Sequence, residues 1–214
     1  HRWIRSHFPP HDFYAEPFAG KAAIFRHKPP TLRSVLIDKS ERVVNWWRDS
    51  SWASSRSITV SCGCGIRWTE LAAEWLDESA LIYADPPYVL DTRTKRQIYD
   101  HEMSDEDHVR FLRAAKRCRA MVVISGYRSD LYDQELAGWR TLKRPAMTRG
   151  GVLRDEWLWM NFTQDTRPEL AVEYSKLGDD YKRRQINDRK VKRWLAQFRD
   201  CSEIERRAIL MALI

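Results

Sequence analysis

Leu81-Ile82-Tyr83-Ala84-Asp85-Pro86-Pro87-Tyr88 is the stretch from which the rest of the chain can be read. Its first half is a short apolar run of the kind found in the middle of a parallel sheet, where both faces are covered. The run ends abruptly in an acid followed by two prolines. Each proline locks its own φ and pushes the preceding residue into an extended conformation, so the backbone sets where Asp85 and the Pro86 carbonyl point. Prolines also lack an N–H donor. The strand therefore opens into a mouth of acceptors, which suits an exocyclic amine held with its lone pair aimed elsewhere. Tyr88 adds a π-face for an unstacked base. Taken alone, the tetrapeptide also reads as a tight strand-to-loop turn with a packed tyrosine.

Upstream, Tyr14-Ala15-Glu16-Pro17-Phe18-Ala19-Gly20-Lys21-Ala22 follows a short strand and opens a helical pattern. A glycine there lets the backbone approach a ligand closely. Eighteen positions after Gly20, Asp38 ends the next strand, where a nucleoside-binding α/β fold holds ribose hydroxyls. The plainer role for Asp38 is an N-cap, because a helical pattern follows directly.

Strand patterns at Phe13–Ala15, Ser34–Ile37, Ser57–Ser61, Ala80–Ala84, Met121–Ser125, Trp139–Leu142 and Glu156–Phe162 alternate with helical ones. The helical patterns are Gly20–His27, Glu41–Asp49, Trp68–Asp77, Asp105–Arg117 and Asp130–Leu136. This alternation predicts an open α/β sheet covered on both faces, with an antiparallel edge where the last two strands follow each other. From about Asp165 strand signals vanish. Ile186, Val191, Trp194, Leu195 and Phe198 fall at helical spacing beside a crowd of Arg and Lys, and Ser202 with Glu205 forms a capping box. Residues 1–164 are expected to be a catalytic domain and 165–214 a basic helical extension. Trp46 and Trp47 are expected to pack their helix against the sheet. Ser125-Gly126-Tyr127 closes a strand at the ligand-binding end of the sheet, so Tyr127 is expected to border the target pocket.

The 214 residues carry 37 Lys and Arg against 30 Asp and Glu, a formal charge of +7 that suits a polyanionic partner. No apolar run approaches the length of a membrane span, and a cytoplasmic location is expected. Cys62 and Cys64 have no second pair at zinc-site spacing, so no metal is expected and the four cysteines read as reduced thiols.

The pairing of Glu16-Pro17-Phe18-x-Gly20 with Asp85-Pro86-Pro87-Tyr88 resembles the N6-adenine-specific DNA methyltransferases of the Dam-like branch, especially compact phage-type members. The likeness continues through Tyr99–His108, Ile124–Tyr127, Leu131–Asp133 and Glu156–Asn161. It implies a Rossmann-like, seven-stranded sheet that binds S-adenosylmethionine. It also implies that Pro17, Phe18 and Gly20 line the cofactor, with Glu16 near its methionine end and Asp38 on the ribose. Asp85 and the Pro86 carbonyl would hold the adenine amine, Pro87 would stiffen the mouth, and Tyr88 would stack on a base flipped from double-stranded DNA.

Four features depart from the family pattern. Ala22 stands where a second glycine is usual, and Cys64 stands about where an Asp normally holds the cofactor's adenine. The lysine-bearing segment upstream of the first motif is missing, and with His1 as first residue a truncated N-terminus is expected. Only Arg48–Arg56 remains of the long target-recognition insert, so base contacts are expected from Leu90–His101 or Arg140–Arg154, both taken as loops. The alternatives are an RNA adenine methylase and a non-catalytic nucleic-acid-binding module on the same fold. The target sequence, the oligomeric state and a restriction partner are left open.

Overall fold

The computed structural model describes residues 2–50, 57–89, 101–147, 153–163 and 193–212. Seven strands form one sheet: β1 (Phe13–Glu16), β2 (Arg33–Asp38), β3 (Ile58–Cys62), β4 (Ala80–Ala84), β5 (Met121–Gly126), β6 (Arg140–Met147) and β7 (Leu153–Met160). Their order is β3-β2-β1-β4-β5-β7-β6. All neighbours pair in parallel except β7, which runs against both β5 and β6. The expected antiparallel element is therefore one strand inserted inside the edge, and β6 itself runs with the body of the sheet.

Helices α1 (Arg2–Arg5), α2 (Ala23–His27), α3 (Glu41–Arg48), α4 (Gly65–Trp75), α5 (Asp105–Arg117) and α6 (Asp130–Glu135) cover the sheet. One face buries Ala15, Ile82, Ala84, Val122, Ile124 and Trp159 against residues of α4, α5 and α6. The other buries Tyr14, Leu36, Leu81, Tyr83, Val123 and Leu158 against Ile4, Ile24, Phe25 and Trp47. β4 sits mid-sheet and all five of its residues are buried, as a doubly covered strand requires. Trp47 is wholly buried as expected. Trp46 is not: it is 42% exposed, because adjacent positions on a helix cannot both face the sheet.

Three boundaries differ from the sequence reading for physical reasons. α2 begins at Ala23 rather than Gly20, because Gly20 (φ 49°) and Ala22 (φ 40°) are left-handed and cannot belong to a right-handed helix. α4 begins at Gly65 rather than Trp68, with extended Cys64 as its N-cap. Arg140–Arg154 is largely strand rather than loop. β6 runs on to Met147, since an edge strand tolerates Pro145, and β7 starts at Leu153.

Most of Leu90–His101 and of Arg48–Arg56 lies outside the described residues, as do the proposed boundary near Asp165 and most of the basic tail. Beyond it, residues 193–200 and Glu203–Ala212 are helical, with Phe198 and Arg206 buried. The Ser202–Glu205 capping box forms: Glu205 N–H donates to Ser202 Oγ at 3.3 Å, and Ser202 N–H to Glu205 Oε2 at 2.7 Å. Among the described residues no helix is long and apolar enough to cross a membrane.

Candidate active site

The sheet order reverses between β1 and β4, and ligands of open α/β folds sit at the carboxyl ends of such a pair. The two strands are hydrogen-bonded neighbours with Ala15 opposite Ile82. Glu16 and Ala84 therefore end at nearly the same level, and the Pro17–Ala22 loop emerges beside Asp85-Pro86-Pro87-Tyr88. The motifs lie far apart in the chain; the parallel pairing brings them together.

The β1 side is built mostly from backbone. Asp38, at the end of β2, takes the Gly20 N–H on Oδ2 at 2.8 Å and the Ser40 N–H on Oδ1 at 2.9 Å. The carboxylate thus clamps the loop to β2 and also receives an N–H at the entrance to α3, where the N-cap is Ser40 rather than Asp38. From the far side, Trp47 Nε1 donates to the Gly20 carbonyl at 2.9 Å. A side-chain carbon on Gly20 would meet nothing within 4 Å, so the loop faces open space there. Gly65 is the opposite case: a Cβ would lie 2.8 Å from the Pro17 carbonyl carbon and 3.1 Å from Phe18 Cε1, and closer still to the Pro17 oxygen. The start of α4 is thus pressed against the loop. Phe18 meets Phe111 edge-on, with centroids 5.1 Å apart.

Glu16 does not face the opening. It is 3% exposed, and its Oε1 accepts from the Tyr14 hydroxyl (2.7 Å) and from Phe25 N–H (2.8 Å). Burial pushes its pKa up to about 8 against those two hydrogen bonds, with a smaller upward push from Asp85. Beside it Lys28, also 3% exposed, lies over the Tyr14 ring at 4.4 Å and donates to the Pro29 carbonyl at 2.7 Å. Burial pulls this ammonium down to about 7, and the Glu16 charge opposes that.

The β4 side is built from side chains. Asp85 is exposed, Pro86 is buried, and Pro87 and Tyr88 are half-buried. Ser125, fully buried on β5, donates to Asp85 Oδ1 at 3.0 Å and lies 2.8 Å from the Tyr83 hydroxyl. Although Asp85 reaches solvent, protein crowds it, and this desolvation pushes its pKa up to about 6. The Ser125 hydrogen bond opposes the shift, Glu156 adds to it, and a hydrogen bond from Tyr88 opposes it. Arg144 neutralises Glu156 through Nε (3.2 Å) and Nη2 (2.9 Å). Tyr127 lies against Tyr88 with centroids 4.5 Å apart, and the Arg154 guanidinium lies 4.4 Å from the Tyr127 ring centre.

The sequence thus named Asp85 and its prolines, but it missed Tyr83, Gly65 and the partnership of Ser125 with Asp85. One signal was available. Ser125 ends the run Met121–Ile124, and a hydroxyl buried in a central strand needs a partner. Of the expected base-contacting arginines on β6 and β7, Arg144 is paired with Glu156 and Arg154 lies over the Tyr127 ring.

No family model matches the chain, and no curated protein matches it. Solved structures do. SMU.1697c from Streptococcus mutans, described as a candidate methyltransferase and solved with SAH, aligns at TM-score 0.50 with 8% identity over 74% of this chain and 94% of its own. LPL1258 from Legionella pneumophila aligns at TM-score 0.50 with 12% identity over 80% and 84%. For a SAM-dependent methyltransferase from Agrobacterium tumefaciens the TM-score is 0.49 at 11% identity, over 74% of this chain and only 58% of the other. By strand order and by the two likenesses at TM-score 0.50, the chain has the Rossmann-like fold of S-adenosylmethionine-dependent methyltransferases, and residues 193–200 and Glu203–Ala212 add helix at its C-terminal side.

Proposed function

We propose that this protein is an S-adenosylmethionine-dependent methyltransferase of the Dam-like branch that methylates the N6 amine of adenine in DNA. The observation that carries the reading is Asp85-Pro86-Pro87-Tyr88 at the carboxyl end of β4, immediately beside the loop that ends β1. The β1 side suits the cofactor: Gly20 faces open space, and each Asp38 oxygen, bonded once to backbone, keeps a lone pair for a ribose hydroxyl. Phe18 and Pro17 line the loop, and Glu16 supports it from beneath. When bound, the cofactor supplies an electrophilic methyl carbon on a cationic sulfur.

The chain's own residues then position and stabilise. Asp85 and the Pro86 carbonyl accept the two N–H groups of the amine, which turns its lone pair out of ring conjugation toward the methyl. Positive charge would appear on N6 as it takes the methyl from the sulfonium, whose sulfur leaves as a neutral thioether, and the Asp85 carboxylate would stabilise that charge and accept the released proton. Tyr88 and Tyr127 offer rings to a base extruded from the duplex. The basic extension, residues 165–214, would track phosphates without reading sequence.

One observation favours the non-catalytic alternative: Cys64 offers a thiol where a carboxylate would hold the cofactor's adenine. Labelled methyl transfer to duplex DNA, single-stranded DNA and RNA, run beside Asp85→Ala, tests all the readings. N6-methyladenine in DNA that disappears with Asp85→Ala supports the proposal. Preference for RNA moves the substrate. No transfer to any substrate, with no calorimetric binding of S-adenosylmethionine, leaves the binding module.

A further inference from the structure

Asp85 is the only carboxylate of the Asp-Pro-Pro-Tyr mouth, yet what orients it lies in neighbouring elements. In register, Ala84 of β4 pairs with Ile124 of β5, which puts Asp85 level with Ser125. Ser125 is fully buried and Tyr83 is 4% exposed. Three oxygens follow one another: Tyr83 Oη to Ser125 Oγ at 2.8 Å, and Ser125 Oγ to Asp85 Oδ1 at 3.0 Å.

The polarity of this chain follows from counting protons. A serine hydroxyl has one proton. A carboxylate only accepts, so Ser125 must spend its proton on Asp85, and Tyr83 must then donate to Ser125. Tyr83 thus ends the chain as a donor, and nothing in it can carry a proton away from Asp85. If Asp85 is protonated, Ser125 has a second acceptor, the Ala84 carbonyl at 3.4 Å, to which it can turn. The chain is complete and at full strength only when Asp85 is charged.

We propose that Ser125 and Tyr83 are positioning residues: a one-way chain of buried hydroxyls that holds the Asp85 carboxylate in its charged form and in one orientation toward the substrate amine. The inference rests on the reading of Asp85 as the amine's acceptor. The other groups facing Asp85 oppose or modulate this hold. Glu156 on β7 repels the carboxylate and is itself paired with Arg144. Glu16 on β1 is electrostatically coupled to it, as is the Tyr132 hydroxyl on α6, and Tyr88 donates to it.

The test uses the full chain. Asp85 is titrated by carbon NMR of carboxyl-labelled aspartate, assigned by its loss in Asp85→Asn, in the parent, Ser125→Ala, Ser125→Thr and Tyr83→Phe. Single-turnover methyl transfer is followed against pH in the same proteins. A hydrogen bond to a charged group changes an ionisation constant by about ten- to a hundredfold. Ser125→Ala should therefore raise the Asp85 midpoint by at least about one pH unit, and Tyr83→Phe by less. Ser125→Thr, which keeps the hydroxyl, should restore the parent midpoint. The acidic limb of the transfer profile should move with the midpoint while KM for the cofactor holds. An Asp85 midpoint unchanged in a folded Ser125→Ala protein overturns the proposal. A moved midpoint in proteins that transfer no methyl, the parent included, supports the hydroxyl chain and counts against the reaction.

Discussion

The two strand ends that meet at the opening are built on different principles. At the end of β1 the working parts are peptide groups: the Gly20 N–H and carbonyl are held by Asp38 and Trp47, and the Pro17 carbonyl is pressed by Gly65. At the end of β4 they are side-chain oxygens, those of Asp85, Ser125, Tyr83 and Tyr88. A backbone-built site fails when a side chain changes size, because shape is what it supplies. A side-chain-built site fails when a charge or hydroxyl is removed, and can do so with the fold intact. The two ends can therefore be broken separately.

The largest expected effect is at β4. Asp85→Asn keeps the volume and an acceptor for Ser125 but removes the charge that, in the proposed reaction, would stabilise the developing cation, so methyl transfer should fall about a hundred- to a thousandfold. Stability should move the other way. A carboxyl whose folded pKa is raised above its unfolded value contributes stability that is present below about pH 4 and lost as pH rises through about 6. Above about pH 6 the Asn variant should thus be at least as stable as the parent in urea. A variant that loses activity and fold together would erase the contrast between the two ends.

At β1 the corresponding break is Gly65→Ala. The added methyl has no room beside Pro17 and Phe18, and its nearest neighbours are backbone atoms that cannot swing aside. Overpacking of this kind costs about 1–3 kcal/mol, so unfolding in urea should shift to lower denaturant, and cofactor binding should weaken with it. The Asp85 titration should be unchanged, since Gly65 reaches the site only through the loop.

Glu16 lies beneath both ends and sharpens the comparison through pH. Its folded pKa, about 8, is raised, so its contribution is full below about pH 4.5 and is lost as pH rises through 8. Glu16→Gln keeps an oxygen for Tyr14 and Phe25 but cannot ionise. The stability of the variant relative to the parent should therefore grow steadily from about pH 5 to about pH 8 in paired urea titrations. Taking the difference removes the opposing slope of His11, whose pKa burial lowers to about 3. Lys28 does not cancel, because the Glu16 charge that opposes its downward shift is gone in the variant, and its slope belongs to the alkaline side, above about pH 7. A flat difference would place the buried proton elsewhere.

What was legible in the sequence divides along the same line. β4 and α5 were read to the residue: the one is an unbroken apolar run stopped by prolines, the other is opened by a Ser104–Asp107 capping box, and both are local signals. The starts of α2 and α4 were each misplaced by three residues, because left-handed backbone at Gly20 and Ala22 and the close approach at Gly65 are decided by packing. Asp85 stood out through its own neighbours. Its partner Ser125 lies 40 residues away, and only strand register puts the two side by side.

Ala22 tests the backbone-built end most gently. It stands where the methyltransferase pattern that the sequence resembles carries glycine, and its backbone is left-handed, with φ 40° and ψ 57°. A side-chain-bearing residue pays about 1–2 kcal/mol to stay there, since its Cβ crowds the following carbonyl. Ala22→Gly releases that strain. It also gives up a buried methyl, worth at most about 0.8 kcal/mol, and it loosens the unfolded chain. The net expectation is a small gain, about 0.5 kcal/mol, read as a slightly later urea midpoint. Methyl transfer should be unaltered if Ala22 only closes the loop. A stability loss would mean that the loop needs the Ala22 methyl in the core beside Phe25 more than it needs relaxed backbone, and packing would then outweigh conformation even at the end of the site built from backbone.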